Sequence, residues 1–266
     1  MAVQMSLVAL ITDFGISDWF AGEMKGAMLS ACPGTTIIDI THHISPGDVR
    51  SAAFTLAACY RTFPERTAFC VVVDPGVGSD RKAICADSGR YLFVGPDNGV
   101  LSWALSQEST MTVRTIDNSD FFRSEAVSAT FHGRDIFGPV AAHLAHGTPP
   151  VTIGEVITDY VTIPFPQPTA GSASITADIL TVDRFGNAVT SIGQDERPLL
   201  HGREVRLSTG DSEYRLVYDE FFAAVPPHEP LCYYGAAGYL EIGINGGSAA
   251  QRFGLTAGSR VELLLG

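Results

Sequence analysis

The chain has 266 residues, 45% of them hydrophobic, enough to bury one large core or two modest ones. Its formal charge of −12 comes without any cluster of Lys or Arg, which argues against nucleic acid or an anionic membrane as partner, since both are bound by neutralising phosphates. Five scattered cysteines, Cys32, Cys59, Cys70, Cys85 and Cys232, fit neither a disulfide framework nor a zinc site and read as small core residues of a cytoplasmic protein.

The apolar run Ser6 to Thr12 lacks a basic flank and meets Asp13 at once, so it reads as a buried strand and not as a signal peptide. No apolar stretch approaches the roughly 18 residues of a membrane helix. Asp18 to Cys32 carries Trp19, Phe20, Met24, Ala27, Met28 and Ala31 at helical spacing, with Asp18 as its expected cap, and Pro33-Gly34 ends it. Strands follow at Thr35 to Thr41 and Thr67 to Asp74, flanking a helix from Asp48 to Tyr60. Shorter strands are expected near Ala83 to Ala86 and Tyr91 to Val94, then helices near Gly99 to Ser106 and from Arg134 to His146. This alternation predicts an α/β fold with a largely parallel sheet.

From Gly147 to Ser174 the prolines at 149, 150, 164, 166 and 168 predict a linker. Beyond it, short β-rich runs alternate with glycine and polar turns: Ser174 to Val182, Ala188 to Ile192, Glu204 to Ser208, Tyr214 to Tyr218, Tyr239 to Ile244 and Arg260 to Leu265. They suit a small antiparallel barrel or sandwich. The reading is of two domains, an α/β domain over 1–168 and a β-barrel domain over 169–266.

In the first domain, polar residues stand where strands end: Asp13, then His42 and His43, then Asp74. Open α/β sheets bind ligands at that edge, so the three clusters are expected to converge. Asp74-Pro75-Gly76-Val77-Gly78-Ser79-Asp80-Arg81 ends a strand in a carboxylate and places a guanidinium seven residues on; Thr130-Phe131-His132-Gly133-Arg134-Asp135 supplies an imidazole. Asp74, Arg81 and His132 are sufficient to hold and deprotonate a water molecule with no metal and no nucleophilic serine or cysteine. The plainer alternatives are an ordinary turn at Asp74-Pro75-Gly76 and a structural role for His132. His143 and His146, near a helix C-terminus, read as structural. His42, His43, Asp74, His132 and Asp135 are metal-type ligands but are too scattered to predict a metal site.

Asp13 is free to accept hydrogen bonds from a diol such as ribose. Asp183-Arg184-Phe185-Gly186-Asn187 is either a hairpin turn or a recognition loop, with Phe185 as a flat apolar face and Asn187 matching an adenine edge. The bend Asn245-Gly246-Gly247-Ser248-Ala249-Ala250 can lend backbone groups to the same base. Gly76-Val77-Gly78 is not a dinucleotide fingerprint, because Arg81 stands where the third glycine belongs; P-loop, Gly-x-Ser-x-Gly and His-Glu-x-x-His motifs do not occur.

These clusters, in this order, closely resemble the S-adenosylmethionine hydroxide adenosyltransferase family, whose members form adenosine and are related to the halide-using fluorinase and chlorinase. The resemblance spans essentially the whole chain. It implies trimers in which one subunit's N-terminal domain meets its neighbour's C-terminal barrel around S-adenosylmethionine. It places the water-activating set on Asp74, Arg81 and His132, the ribose contact on Asp13 and a position near the methionine amine on Asp18. Recognition of adenine and the methionine arm falls on Asp183, Phe185 and Asn187, with Asn245, Gly246, Ser248 and Ala249 completing the base pocket. Where relatives offer Ser or Arg to the methionine carboxylate, this chain reads Gly235-Ala236-Ala237-Gly238. The implied reaction is hydrolysis of S-adenosylmethionine to adenosine and L-methionine, with no cofactor; halide transfer and a non-catalytic adenosine or S-adenosylmethionine sensor are the alternatives.

Overall fold

The first apolar run forms β1 (Leu7–Thr12), buried along its whole length, and opens an alternating series. α1 (Phe20–Ala31), β2 (Thr36–Thr41), α2 (Val49–Cys59), β3 (Ala68–Val72), β4 (Ala83–Asp87), β5 (Leu92–Pro96), α3 (Ser102–Leu105), β6 (Thr112–Thr115) and α4 (Gly138–Ala145) follow. This computed structural model describes residues 6–210 and 212–266. The chain divides into two compact units, Met1–Pro164 and Phe165–Gly266. Among the described residues no helix is long and apolar enough to cross a membrane.

The sheet of the first unit runs β2-β1-β3-β5-β4-β6. Its first three pairings are parallel, whereas β4 runs antiparallel to both β5 and β6. Alternate residues serve opposite faces. Val8, Leu10, Ala68, Cys70 and Val72 pack with Met24 and Met28 of α1 and Val140 and Leu144 of α4. Ala9, Ile11, Phe69, Val71 and Val73 pack with Ala52 and Leu56 of α2 and Ala104 of α3. Because both of their faces are covered, β1 and β3 are apolar without alternation, as buried parallel strands are, whereas the edge strand β2 is largely exposed.

The chain leaves β1 toward β2 on one side and leaves β3 toward β5 on the other, while β1 and β3 are themselves neighbours with Thr12 opposite Val72. Such a reversal opens a crevice at the carboxyl ends of the two strands. Asp13 and Asp74 stand at that edge.

The second unit contains β7 (Thr169–Ala170), β8 (Ser174–Val182), β9 (Ala188–Thr190), α5 (Arg197–Leu200), β10 (Val205–Ser208), β11 (Glu213–Tyr218), β12 (Pro230–Tyr234), β13 (Leu240–Ile244), α6 (Ala249–Phe253) and β14 (Arg260–Leu265). Seven strands in the order β14-β10-β11-β12-β13-β9-β8 close into a barrel through the β14–β8 pairing, and β7 is a short appendage on β8. One pair, β11–β12, is parallel and the others are antiparallel. Every second residue points inward: Ile175, Ala177 and Ile179, Val205 and Leu207, Leu240, Ile242 and Ile244, Val261, Leu263 and Leu265 fill the core. Closure leaves these strands no unpaired edge.

Several sequence expectations change. The helix expected from Asp18 starts at Phe20, and Trp19 in helical conformation occupies its N-cap position without a side-chain bond, so Asp18 is not the cap. The helix expected from Arg134 begins instead as a π-helical turn, Gly133–Phe137, that runs into α4. Strands β6 and β12 were not anticipated: β6 is four residues long, and the Pro230 that opens β12 reads as a breaker. The expected linker is not free chain up to Ile163, since the Val161 and Ile163 N–H groups donate to Asp97 Oδ1 and Ser102 Oγ, and Trp103 Nε1 donates to the Ile163 carbonyl.

Candidate active site

Asp74 lies two residues beyond β3, and the turns that follow it bring Arg81 back onto it. Arg81 Nε donates to both carboxylate oxygens, at 3.0 and 3.1 Å, and Nη2 donates to Oδ2 at 2.5 Å. The same Nη2 reaches His132 Nδ1 at 2.6 Å. The guanidinium carbon stands 5.1 Å from the centre of the Phe137 ring, which gives the cation a π-face as well. The side chains of Asp74 and Arg81 are only 5% and 11% exposed, so the pair is a desolvated one.

Guanidinium has no acceptor, so the nitrogen it meets on His132 carries the lone pair and the neutral ring keeps its proton on Nε2. Burial, and then the Arg81 charge, hold the imidazole below the ordinary histidine range, against the opposite pull of Asp74 and Asp135. The site therefore offers a fixed carboxylate acceptor beside a neutral N–H donor.

Backbone geometry fixes the loop that makes this possible. The Val77 N–H donates to the Asp74 carbonyl, and the Ser79 N–H and hydroxyl both donate to the Gly76 carbonyl. Gly78 has φ +81°, and a Cβ there would come 2.3 Å from the Ala129 carbonyl oxygen. Only glycine lets the Arg81 loop lie this close to the segment that precedes His132. On the other side, Gly133 sits beneath Phe14, whose ring meets Phe131 edge-on at 5.6 Å.

Asp13 accepts the Gly47 N–H on Oδ2 at 2.8 Å, which holds its carboxylate at the sheet edge. His42 does not join the Asp74, Arg81 and His132 cluster: it is buried, its Nδ1 meets Thr12 Oγ1 at 2.8 Å, and it ties the ends of β1 and β2 together. His43 and Asp18 are exposed, Asp18 in the loop that also presents Ile16 and Trp19 to solvent. His143 is structural, with Nδ1 3.4 Å from Cys32 Sγ and its ring against Phe121.

In the second unit, Phe185, Asn187, Phe222, Ile244, Gly246 and Gly247 line a cavity of about 420 Å³. Phe185 is 78% exposed, a flat apolar face open to solvent. The loop is organised by Asp183: Oδ1 accepts the N–H groups of Phe185 and Asn187, and Oδ2 accepts Asn187 Nδ2 at 2.8 Å. Asp183 is thus committed to shaping the turn. One amide hydrogen of Asn187 is used in the same way, so its remaining N–H and its Oδ1 are what it can offer a base.

The 245–250 bend is locked to this loop. Gly186 has φ +86°, a Cβ on it would lie 2.1 Å from Ser248 Oγ, and its carbonyl accepts the Ala250 N–H. Asn245 donates its amide to the Val225 carbonyl, Ser248 Oγ caps α6 at the Gln251 N–H, and Ala249 is buried in the barrel core. Of the four positions expected to complete the base pocket, Gly246 lines the cavity; the side chains of Asn245, Ser248 and Ala249 hold its wall in shape.

Residues 8–154 match the SAM hydroxide adenosyltransferase N-terminal domain, and residues 177–262 match the SAM hydroxide adenosyltransferase C-terminal domain. The chain belongs to the SAM hydroxide adenosyltransferase family. Among its relatives, an (R)-S-adenosyl-L-methionine hydrolase of Salinispora tropica is 37% identical over 97% of this chain and 98% of its own. One of the same description from Thermus thermophilus is 36% identical over 98% and 100%. A fluorinase of Actinoplanes sp. is more distant, 26% identical over 97% of each chain. The crystal structure of an uncharacterized conserved protein from Thermotoga maritima superposes with a TM-score of 0.92 at 35% identity, covering 96% of this chain and 99% of that one.

Sequence reasoning missed Phe222 and Ile244 among the cavity residues, whereas Gly247 lies in the bend it had singled out. Phe221-Phe222 after an acidic pair was a visible aromatic signal, but its destination depends on β12. Phe222 leans on Tyr233 with ring centres 4.8 Å apart, and the Tyr233 hydroxyl donates to Glu241 Oε2 at 2.5 Å. The Glu241 side chain in turn lies across Gly235, where a Cβ would be 1.8 Å from Oε1. The opening glycine of Gly235-Ala236-Ala237-Gly238 is therefore set by the packing of β13.

Proposed function

We propose that this chain hydrolyses S-adenosyl-L-methionine to adenosine and L-methionine by attack of water on C5′. The observation that carries the reading is the Asp74–Arg81–His132 cluster at the crevice between β1 and β3, in a chain whose close relatives are named S-adenosylmethionine hydrolases.

The chemistry suits the groups present. A sulfonium leaves as a neutral thioether, so its departure calls for no general acid, and the site has only to hold a water in line with the C5′–S bond. In this reading the water accepts the His132 Nε2–H and donates to Asp74. As the oxygen bonds to C5′, the C–S electron pair stays on sulfur, and the surplus proton passes from the new hydroxyl to Asp74 and then to solvent. Arg81 orients both partners. It also disfavours protonation of His132 by its charge.

The finer statements belong to the same proposal. Asp13 takes the ribose diol, Asp18 stands near the methionine amine, and the Phe185 and Asn187 cavity takes adenine. The enzyme works as a trimer in which the first unit of one copy meets the barrel of its neighbour. The exposed Ile16 and Trp19 on the first unit and Phe185 and Phe221 on the second support such a junction, since apolar side chains of this size favour cover. No metal or cofactor is required beyond the substrate. The five unpaired cysteines support a cytoplasmic setting.

The test is incubation with S-adenosylmethionine in H₂¹⁸O, with products separated and weighed. Adenosine labelled at its 5′-hydroxyl, with unlabelled methionine, is expected. Chlorinated nucleoside as the main product in chloride buffer would assign halide transfer instead, and ligand binding without turnover would assign a sensor.

A further inference from the structure

Asp135, three residues past His132, has a fully buried side chain and touches none of the Asp74, Arg81 and His132 groups through a hydrogen bond. Arg134 grips it in two places, Nε to Oδ1 at 2.7 Å and Nη2 to Oδ2 at 3.0 Å. The Ser128 N–H donates to Oδ2 at 2.8 Å, Arg123 Nη1 lies 3.7 Å from Oδ1, and the Arg123 N–H donates to the Asp135 carbonyl. Burial by itself would raise this carboxyl, but the Arg134 and Ser128 hydrogen bonds and the arginine charges outweigh it and hold it below the ordinary aspartate range. A full charge has thus been placed inside the protein and surrounded by donors from its own turn and from the 123–128 segment.

What this carboxylate holds explains its position. Ser128 is followed by Ala129, whose carbonyl is the surface on which Gly78 rests, and Gly78 belongs to the loop that delivers Arg81. Phe131 and His132 lie between Ala129 and the π-helical turn, and the Asp135 N–H donates back to the Phe131 carbonyl. Arg134 extends the brace to α1 through Glu23 at 3.4 Å and covers the Phe131 ring at 5.1 Å. One buried carboxylate therefore sets the segment that supports the Arg81 loop and the turn that carries His132.

We propose that Asp135 is a positioning residue for hydrolysis, one that sets the distance between Arg81 and His132 by holding the segment under the Arg81 loop and the turn that carries His132. The proposal rests on the hydrolase reading for its kinetic part only. The charged groups acting on His132 are Arg81, whose charge lowers its pKa, and Asp74 and Asp135, whose charges raise it; Arg134 and Arg123 pair with Asp135, and Glu23 pairs with Arg134.

The experiment compares the wild type with Asp135→Asn, Asp135→Glu and Arg134→Lys in the full chain. Asn keeps shape and one acceptor but removes the charge. Its kcat is expected to fall about tenfold to a hundredfold, the scale on which small misplacements act, with KM changed less than about threefold. The acid limb of its kcat profile is expected to move to lower pH, because loss of the Asp135 charge removes a force that raises the His132 pKa. Glu, which keeps the charge, should leave that limb in place and recover part of the rate. The His132 ring resonances, followed by NMR across pH, read the same shift without turnover. Should Asp135→Asn fail to fold, Arg134→Lys, which keeps the charge but loses the two-pronged grip, should show the kcat loss alone. Folded Asp135→Asn with wild-type kcat and an unmoved His132 titration overturns the inference, as does Arg134→Lys at wild-type rate. A wild type that makes no adenosine overturns the hydrolase reading, and the NMR comparison then decides this one by itself.

Discussion

Arg81 Nη2 stands 2.6 Å from His132 Nδ1 while the same nitrogen holds Asp74, so a single guanidinium fixes both the tautomer of the imidazole and the angle of the carboxylate. In the proposed mechanism His132 acts through Nε2, as a donor. Gln, which carries an N–H roughly where Nε2 stands, is therefore expected to retain more activity at position 132 than Ala, which should lose about 10²-fold or more in kcat. Rates of His132→Gln, His132→Asn and His132→Ala check this; Asn outperforming Gln would place the working nitrogen at Nδ1.

Loss of Arg81 should be as harmful as loss of Asp74. Arg81→Ala and Asp74→Ala are each expected to cost about 10²-fold or more, and the double variant little beyond either one, because the groups act as a unit. Arg81→Lys should rescue poorly, since an ammonium on a flexible stem cannot hold the carboxylate and the imidazole in the same plane. Each single change also leaves a desolvated partner, worth about 3 to 5 kcal/mol when a buried pair is broken, so thermal melting must accompany the kinetics.

The pH dependence follows from burial and the Arg81 charge acting on His132. With its pKa below the ordinary value of about 6.5, the ring stays neutral at and above that pH, and kcat/KM should be flat there and fall only at more acid pH. Stability shifts in the same direction. The unfolded chain takes up the proton near the ordinary value and the folded chain only below it, so stability is lost as pH drops through that window. His143, also lowered by burial and by His146, contributes with the same sign. Rate and urea midpoint measured between pH 8 and 5 test both; an acid limb starting above the ordinary histidine pKa would contradict the assignment.

Two glycines separate chemistry from recognition. Gly78→Ala places a Cβ against the Ala129 carbonyl at a positive φ and should lower kcat while leaving adenosine affinity intact. Gly186→Ala places one against Ser248 Oγ, also at a positive φ, and should weaken adenosine binding and raise KM. Titration calorimetry with adenosine beside steady-state kinetics resolves the pair; the reverse assignment of effects would refute the division.

Subunit sharing is checked by mixing. Refolding inactive Asp74→Ala chains with inactive Asn187→Ala chains should restore part of the activity, because some neighbouring pairs then gather both defects in one pocket and leave another intact. Verified mixed oligomers without activity, or a fully active monomer on dilution, would show that each chain builds its own site.

The Asp74 end of the candidate cluster was legible because strand-ending carboxylates have a fixed place in an α/β sheet: Asp74 had to emerge at the edge of β3 whatever followed. His132 was legible as a residue type, but its partner atom was not, since that depends on the approach of Gly78 to Ala129, fifty-one residues apart in sequence. Asn187 and Asp183 illustrate the opposite case. Both were singled out for ligand contact, and the turn commits the Asp183 carboxylate and one amide hydrogen of Asn187, a competition between local backbone and ligand that residue type alone does not decide. Phe222 and Ile244 were illegible because strand pairing across β12 and β13, not local pattern, brings them to the cavity.

The π-helical turn at Gly133–Phe137 acts as one extra residue wound into the helix that continues as α4. An α-helix advances about 100° per residue, so the extra residue uncouples the direction of His132 from the stripe of Val140, Ala141 and Leu144 that binds α4 to the sheet. Removing a single residue from that turn would leave the hydrophobic stripe seated and swing the imidazole about a quarter-turn away from Arg81. The helix thus carries two registers, one answering to the core and one to the imidazole beside Arg81.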